Sequence, residues 1–130
     1  MDTRRGAVLI VDDEPSVRQV LQLLCERLGL RSLATGSGHE AVHLYEQHRA
    51  HIRLVLLDVN MPLIDGPGTL ARLRSAGLDA RIGFMSANTG RYTAEGLLAL
   101  GADRFFEKPF HFETFGRDLL ALVEETRVAA

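Results

Sequence analysis

Leu54-Val55-Leu56-Leu57-Asp58-Val59-Asn60-Met61-Pro62 is the stretch on which the fold turns. Four apolar residues run into a carboxylate, and a loop closed by proline follows. A run this short and this apolar predicts a strand buried on both faces, the kind found inside parallel sheets. Asp58 then stands where the strand leaves the core, and in open α/β sheets ligands bind outside the carboxyl ends of the strands. A lone aspartate at such a place is ordinarily a helix cap or a turn residue. Asp58 has company elsewhere in the chain.

Upstream, Ala7 to Val11 is a second apolar run, and it too ends in acids, Asp12-Asp13-Glu14. Pro15 suits the first turn of a helix, where its missing N–H costs nothing. Val17, Val20, Leu21, Leu24 and Leu28 recur at helical spacing until Gly29 stops them. Leu30 to Ala34 predicts a short strand. Gly36-Ser37-Gly38 then makes a turn and cap for a helix that carries Ala41, Val42 and Tyr45 to about Arg49. The strand at the centre of the pattern runs from Arg53 to Leu57.

Downstream, Asp65-Gly66-Pro67-Gly68 starts a helix through Leu70 and Leu73 that stops near Gly77. Arg81 to Met85 is a fourth strand ending at Ser86. Asn88-Thr89-Gly90 leads into a helix with Leu97, Leu98 and Leu100, closed by Gly101. Arg104-Phe105-Phe106 is a short fifth strand before Glu107-Lys108-Pro109, and a last helix carries Phe115, Leu119, Leu122 and Val123. Strands alternating with helices through short links imply βαβ units, right-handed crossovers and a parallel sheet covered on both faces. A doubly wound order 2-1-3-4-5 would set the first and third strands side by side, with Asp12, Asp13 and Asp58 in the crevice at their switch point.

The 130 residues predict a single domain, 1–130, with a core large enough to need no staples. A net charge of −2 suggests neither a nucleic-acid nor a membrane surface. No apolar stretch reaches the length of a membrane span, and the N-terminus has no signal-peptide core. A lone cysteine, Cys25, allows no internal disulfide, reads as a packed core thiol, and fits a reducing cytoplasm.

At the strand ends the chemistry collects: Asp12 and Asp13, Asp58, Ser86 and Lys108. Packing alone does not ask for such a set. Clustered carboxylates raise one another's pKa unless a cation intervenes. An oxygen-only donor set points to a hard divalent ion, of which magnesium typically takes one or two carboxylates and keeps several waters. Lysine and metal together suit a phosphoryl group, since both stabilise charge on its equatorial oxygens. A carboxylate can itself be the nucleophile and become an aspartyl phosphate. If the Lys108–Pro109 peptide is cis, it would aim the lysine into the crevice.

Asp12-Asp13, Asp58 followed by Met61-Pro62 and Asp65-Gly66, Ser86-Ala87, and Lys108-Pro109-Phe110 together resemble the receiver domain of two-component response regulators, the chemotaxis-regulator-like family, over about residues 6–125. The resemblance implies a flavodoxin-like (βα)5 fold and phosphotransfer from a histidine kinase or histidine phosphotransfer protein. It makes Asp58 the phosphoacceptor. Asp13, Asp58 and the Asn60 backbone carbonyl would bind Mg2+ directly, and Asp12 through water; Mn2+ would substitute. Lys108 would pair with the phosphoryl group and Ser86 would hydrogen-bond it. Phe105 holds the switch-aromatic position and would turn inward as Ser86 moves, reshaping the surface of the fourth helix, fifth strand and fifth helix. Phenylalanine there lacks the hydroxyl of the tyrosine often found at that place. Asn60 and Asn88 hold positions that tune phosphoryl lifetime. Pro67-Gly68 replaces a more usual apolar pair, which predicts a looser start to the third helix.

The resemblance describes a signalling domain that acts enzymatically only on itself, catalysing its own magnesium-dependent phosphorylation and dephosphorylation. A degenerate receiver that binds partners without phosphorylation is the alternative; it would lack the acceptor, a metal ligand or the lysine, and all are present. A haloacid-dehalogenase-type phosphatase also uses an aspartyl phosphate, but with its nucleophile after the first strand and an aspartate two residues on; here position 60 is asparagine. His39, His43, His48, His51 and His111 read as solvated surface residues, none at zinc-like spacing with a cysteine. The expected output is a switched protein surface, with a homodimer on phosphorylation among its forms. The chain near Ala130 carries no DNA-binding, cyclase or kinase pattern, so either a single-domain regulator or part of a longer chain is expected, and the target is open.

Charge alone generates a prediction. The carboxylate cluster destabilises the metal-free fold, so magnesium raises the melting temperature by mass action. Asp13→Asn is expected to melt higher than wild type without metal and to lose the gain on adding magnesium, as read by differential scanning calorimetry with and without MgCl2.

Overall fold

The structure is a computed structural model describing residues 6–87, 90 and 92–124. Its elements alternate without exception: β1 (Ala7–Val11), α1 (Pro15–Arg27), β2 (Arg31–Thr35), α2 (Gly38–His48), β3 (Ile52–Asp58), α3 (Gly66–Ser75), β4 (Arg81–Ser86), α4 (Ala94–Ala99), β5 (Arg104–Glu107) and α5 (Phe112–Glu124). The five strands form one parallel sheet in the order β2-β1-β3-β4-β5. This is the expected doubly wound, flavodoxin-like (βα)5 fold.

Side chains that alternate along each strand sort the core into two layers. Leu9, Val11, Val55, Leu57, Ile82 and Phe84 point to one face and meet Ala41 and Tyr45 of α2, Leu70 and Leu73 of α3, and Leu97 of α4. Val8, Ile10, Leu54, Leu56, Met85 and Phe106 point to the other, against Leu21 and Cys25 of α1 and Phe115, Leu119 and Leu122 of α5. Burial on both faces explains why the central strands read as unbroken apolar runs. Cys25 is fully buried, and desolvation pushes its thiol up to about 12, so it packs as an inert apolar group.

Local chemistry fits the elements. The Ser37 hydroxyl accepts from the Glu40 N–H at the start of α2, Asp65 accepts from the Gly68 N–H at the start of α3, and Thr93 accepts from the Gly96 N–H at the start of α4. α3 begins directly at Gly66, so Pro67-Gly68 sits inside its first turn. The apolar stripe of α1 is wider than what it buries: Val20 is 42% and Leu23 62% exposed. On α4 only Leu97 is buried, while Leu98 and Leu100 lie largely open. His39, His43, His51 and His111 are exposed and His48 is half-buried.

Gly83 shows how tightly β4 and β5 are matched. A Cβ there would sit 2.8 Å from Cε2 of Phe106 and 3.1 Å from Cδ2 of Leu56. The Phe106 ring occupies that space and meets Phe115 edge-on at 4.7 Å. Gly83→Ala is expected to destabilise the fold by about 1–3 kcal/mol through overpacking, measured by urea unfolding.

Candidate functional site

The register of the sheet assembles the site. Val11 pairs with Leu57, so Asp12 and Asp58 emerge next to each other at the carboxyl edge. The Asp12 N–H donates to the Thr35 carbonyl at 3.0 Å, and its Oδ1 accepts from the Glu14 N–H at 3.0 Å. Asp12 is fully buried, Asp58 and Ser86 nearly so, and Asp13 is exposed. Asp12, Asp13 and Asp58 each offer a carboxylate oxygen within 4.8 Å of the others.

Lys108 follows β5, three strands away from Asp12. Its N–H donates to the Ser86 carbonyl at 3.0 Å, and the Lys108–Pro109 peptide is cis. The ammonium donates to Oδ2 of Asp12 at 2.7 Å and to Oδ1 of Asp58 at 3.3 Å. One cation thus joins two carboxylates.

The loop after β3 is built around the same aspartate. A Cβ on Gly66 would lie 2.6 Å from the Asp58 carbonyl oxygen and 2.9 Å from the Val59 Cα, so only glycine lets α3 start this close to the end of β3. The Gly66 N–H donates back to the Val59 carbonyl at 2.9 Å. Between them, Leu63 sits at φ 71 in a tight turn closed by the Ile64 N–H on the Pro62 carbonyl, with its side chain 98% exposed. A leucine in the left-handed region is strained by roughly 1–2 kcal/mol.

Asn60 is exposed, and its side-chain amide donates to the Ser86 Oγ at 3.3 Å. Phe105 is half-buried in β5 and packs against the core layer that also receives Tyr92. Asn88 lies outside the described residues. The structure therefore brings Asp12, Asp13, Asp58, Ser86, Lys108 and Asn60 to one rim, with Phe105 on the neighbouring strand.

Three contacts were not read from the sequence. The Tyr92 hydroxyl donates to Oδ2 of Asp65 at 2.7 Å, tying the segment before α4 to the cap of α3. The Asn60 side chain reaches Ser86. Arg18 Nη1 donates to the Asp12 carbonyl at 2.7 Å. The only sequence signal for the last is a cation six residues after an aspartate, a spacing too common to single out.

The electrostatics follow from burial. Asp58 is raised from 3.8 to about 7: desolvation is the main cause, the Asp12 charge adds to it, Lys108 pulls part of it back, and Asp13 adds a little. Burial alone would lower the Lys108 ammonium, but its hydrogen bond to Asp12 and the charges of Asp58 and Asp12 outweigh that and raise it. The rim holds more negative charge than one lysine balances. An all-oxygen donor set with this excess fits a hard divalent cation such as magnesium.

Comparison with known proteins points the same way. The family model of the response regulator receiver domain matches residues 8–119. The chain is 38% identical over 110 residues to the probable transcriptional regulator ycf27 of Galdieria sulphuraria, covering 82% of this chain and 41% of that protein. It is 31% identical over 123 residues to the alkaline phosphatase synthesis transcriptional regulatory protein PhoP of Bacillus subtilis, covering 95% and 50%. The chain thus spans about half the length of these relatives. Among solved structures, it resembles the receiver domain of a sensor histidine kinase from Pseudomonas aeruginosa that has a magnesium ion coordinated in its active-site cleft, with a TM-score of 0.80, 25% identity and coverage of 92% and 98%.

The raised Asp58 pKa predicts an inverted pH dependence. A carboxyl that titrates near 7 when folded and near 3.8 when unfolded binds more protons in the folded state between those values. Its contribution to stability therefore falls as pH rises through that window and is flat above it. In metal-free buffer, the stability advantage of Asp58→Asn over wild type is expected to grow from pH 4 to pH 7 and then level off, read by urea unfolding across the series.

Proposed function

The chain belongs to the response regulator receiver family, and from that premise we propose that it takes a phosphoryl group onto Asp58 from a phosphohistidine on a histidine kinase or a histidine phosphotransfer protein. The observation that carries this is the Lys108 ammonium spanning Asp12 and Asp58 at 2.7 and 3.3 Å beside a third carboxylate. In this reading residues from about 6 to 125 make up the receiver unit.

Only the carboxylate form of Asp58 is a nucleophile. Its oxygen attacks phosphorus in line; the O–P bond forms as the P–N bond of the donor breaks, and the imidazole leaves with the electron pair. Asp13, Asp58 and the Asn60 carbonyl would hold magnesium with Asp12 close behind, and the ion would supply positive charge against the carboxylates and the phosphoryl oxygens. Lys108 favours ionised Asp58 before transfer and pairs with a phosphoryl oxygen after it. The Ser86 hydroxyl, already at the rim, hydrogen-bonds another of those oxygens.

The donor has a surface to meet. Val17, Val20, Pro109, Phe110 and Phe112 line an apolar groove of about 370 Å³ that also borders Lys108. A partner seated there covers the rim and keeps water from the transfer. The output leaves by another face: movement of Ser86 draws in the segment after β4, Phe105 turns inward, and the surface of α4, β5 and α5 changes. Asn60 and Asn88 set how long the phosphoryl group lasts. A partner, a second copy of the chain or a linked segment then reads that surface. Among the described residues no helix is long and apolar enough to cross a membrane, and the buried free thiol of Cys25 fits a reducing cytoplasm.

The test is intact mass after incubation with acetyl phosphate or phosphoramidate. Wild type with magnesium is expected to gain one phosphoryl group, and neither magnesium-free protein nor Asp58→Asn should gain it. No gain in folded wild type with magnesium would replace this reading with a binding module that works without phosphorylation.

A further inference from the structure

Asp13 is the least supported member of the acidic set. Asp12 is held by its N–H on Thr35, by Lys108 and by the Glu14 N–H. Asp58 ends a strand whose neighbours fix it on both sides. Among the described residues, no hydrogen bond or ion pair holds the Asp13 carboxylate, which is exposed. Its direction is set by the backbone, and above all by the peptide unit that joins it to Asp12.

Arg18 grips that unit. It lies half-buried on α1, and its Nη1 donates to the Asp12 carbonyl at 2.7 Å. A guanidinium donor makes this a charge-assisted bond, shorter and stronger than a neutral one. The Asp12 carbonyl belongs to the peptide that leads to Asp13, so this peptide cannot rotate without losing the Arg18 bond, while the Asp12 N–H on Thr35 anchors the peptide before it. The turn after β2 makes room for the guanidinium: a Cβ on Gly36 would stand 2.8 Å from Nη1 and 3.6 Å from the Asp12 carbonyl oxygen. Glycine at 36 is thus explained by the arginine packed on it.

We infer that Arg18 is a positioning residue for the metal end of the site: it locks the Asp12–Asp13 peptide so that the Asp13 carboxylate faces Asp12 and Asp58, and Gly36 keeps the space it needs. This rests on the receiver reading above. Removing groups that orient metal ligands typically weakens metal binding by about 10–100-fold. An arginine that merely tethered α1 to the sheet would affect folding and leave metal affinity alone, so the two roles separate by measurement.

The experiment is a nuclear magnetic resonance titration of uniformly 15N-labelled protein with MgCl2, alongside metal-free melting temperatures, for wild type, Arg18→Met, Arg18→Lys and Gly36→Ala. Arg18→Met is expected to weaken magnesium binding on the order of tenfold. Arg18→Lys, which keeps the charge and a donor, recovers part of that. Gly36→Ala retains the arginine but crowds it, and should weaken binding in the same direction by less; it decides the matter even where Arg18→Met does not fold. If folded Arg18→Met binds magnesium as wild type does, or, where Arg18→Met does not fold, Gly36→Ala does so, whatever the melting temperatures, the inference is overturned. If wild type itself shows no magnesium-dependent shifts, the receiver reading fails and the inference falls with it.

Discussion

Asp12 and Asp58 stand side by side in a crevice that is largely closed to water, and two carboxylates so placed repel unless a cation joins them. The cation comes from far away. Lys108 follows β5, and with strands spaced about 4.8 Å apart, β5 lies roughly 14 Å from β1. A lysine side chain does not cover that distance from a strand running straight out of the sheet. The chain after β5 therefore has to lean back over the ends of β4 and β3, and the bond from the Lys108 N–H to the Ser86 carbonyl is the first step of that path. The strand order, the short β5 and the turn into α5 are all arranged so that one ammonium reaches two carboxylates.

Even so, the balance is incomplete. One lysine faces three acids, and the charges of Asp12 and Asp13 add to the upward shift that burial imposes on Asp58. Such a cluster costs the fold stability. In the proposed function a divalent ion would relieve it, and a phosphoryl group would alter it again. A rim already near electrostatic neutrality would respond weakly to either event; a rim held with excess negative charge responds strongly. The same imbalance that weakens the metal-free protein makes the site a sensitive element.

How much of this could be read in the chain follows from the range of each interaction. The strands were legible because β1, β3 and β4 are buried on both faces, which leaves apolar runs ending abruptly in Asp12, Asp58 and Ser86. Helix starts were legible because Ser37 and Asp65 cap within their own first turns. Strand ends shifted by a residue: β2 is Arg31–Thr35 rather than Leu30 to Ala34, and Asp58 belongs to β3. Leu30 is buried all the same, since burial outlasts the ladder. Val20 fits the helical period yet lies largely open, because the period marks a stripe and only the facing element decides how much of it is covered. Arg18, Tyr92 and the Asn60 amide stayed hidden for a deeper reason. Their partners are a backbone carbonyl and polar atoms in other connections, placed by the local path of the chain and by tertiary packing, and no residue pattern in the sequence singles them out.

Those hidden contacts bear on how a local charge event travels. Among the described residues, the loop after β3 is tied to the end of β4 by Asn60 on Ser86 and to the residue before Thr93 by Tyr92 on Asp65. The first tie lies at the rim and the second at the cap of α3, on the way to α4. Ser86 pairs in register with Glu107, and Phe84 with Phe105, so a displacement at the end of β4 is felt directly on β5. Tyr92 and Phe105 pack against the same core layer, which is close-packed and does not deform by small degrees. The proposed shift of Ser86 toward Asp58 would strain its bond to Asn60, and the Tyr92 bond ends on Asp65, which also caps α3. The two contacts join Ser86 at the end of β4 and Tyr92 ahead of α4 to the loop after β3 and the cap of α3, a coupling that the proposed two-state switch would use.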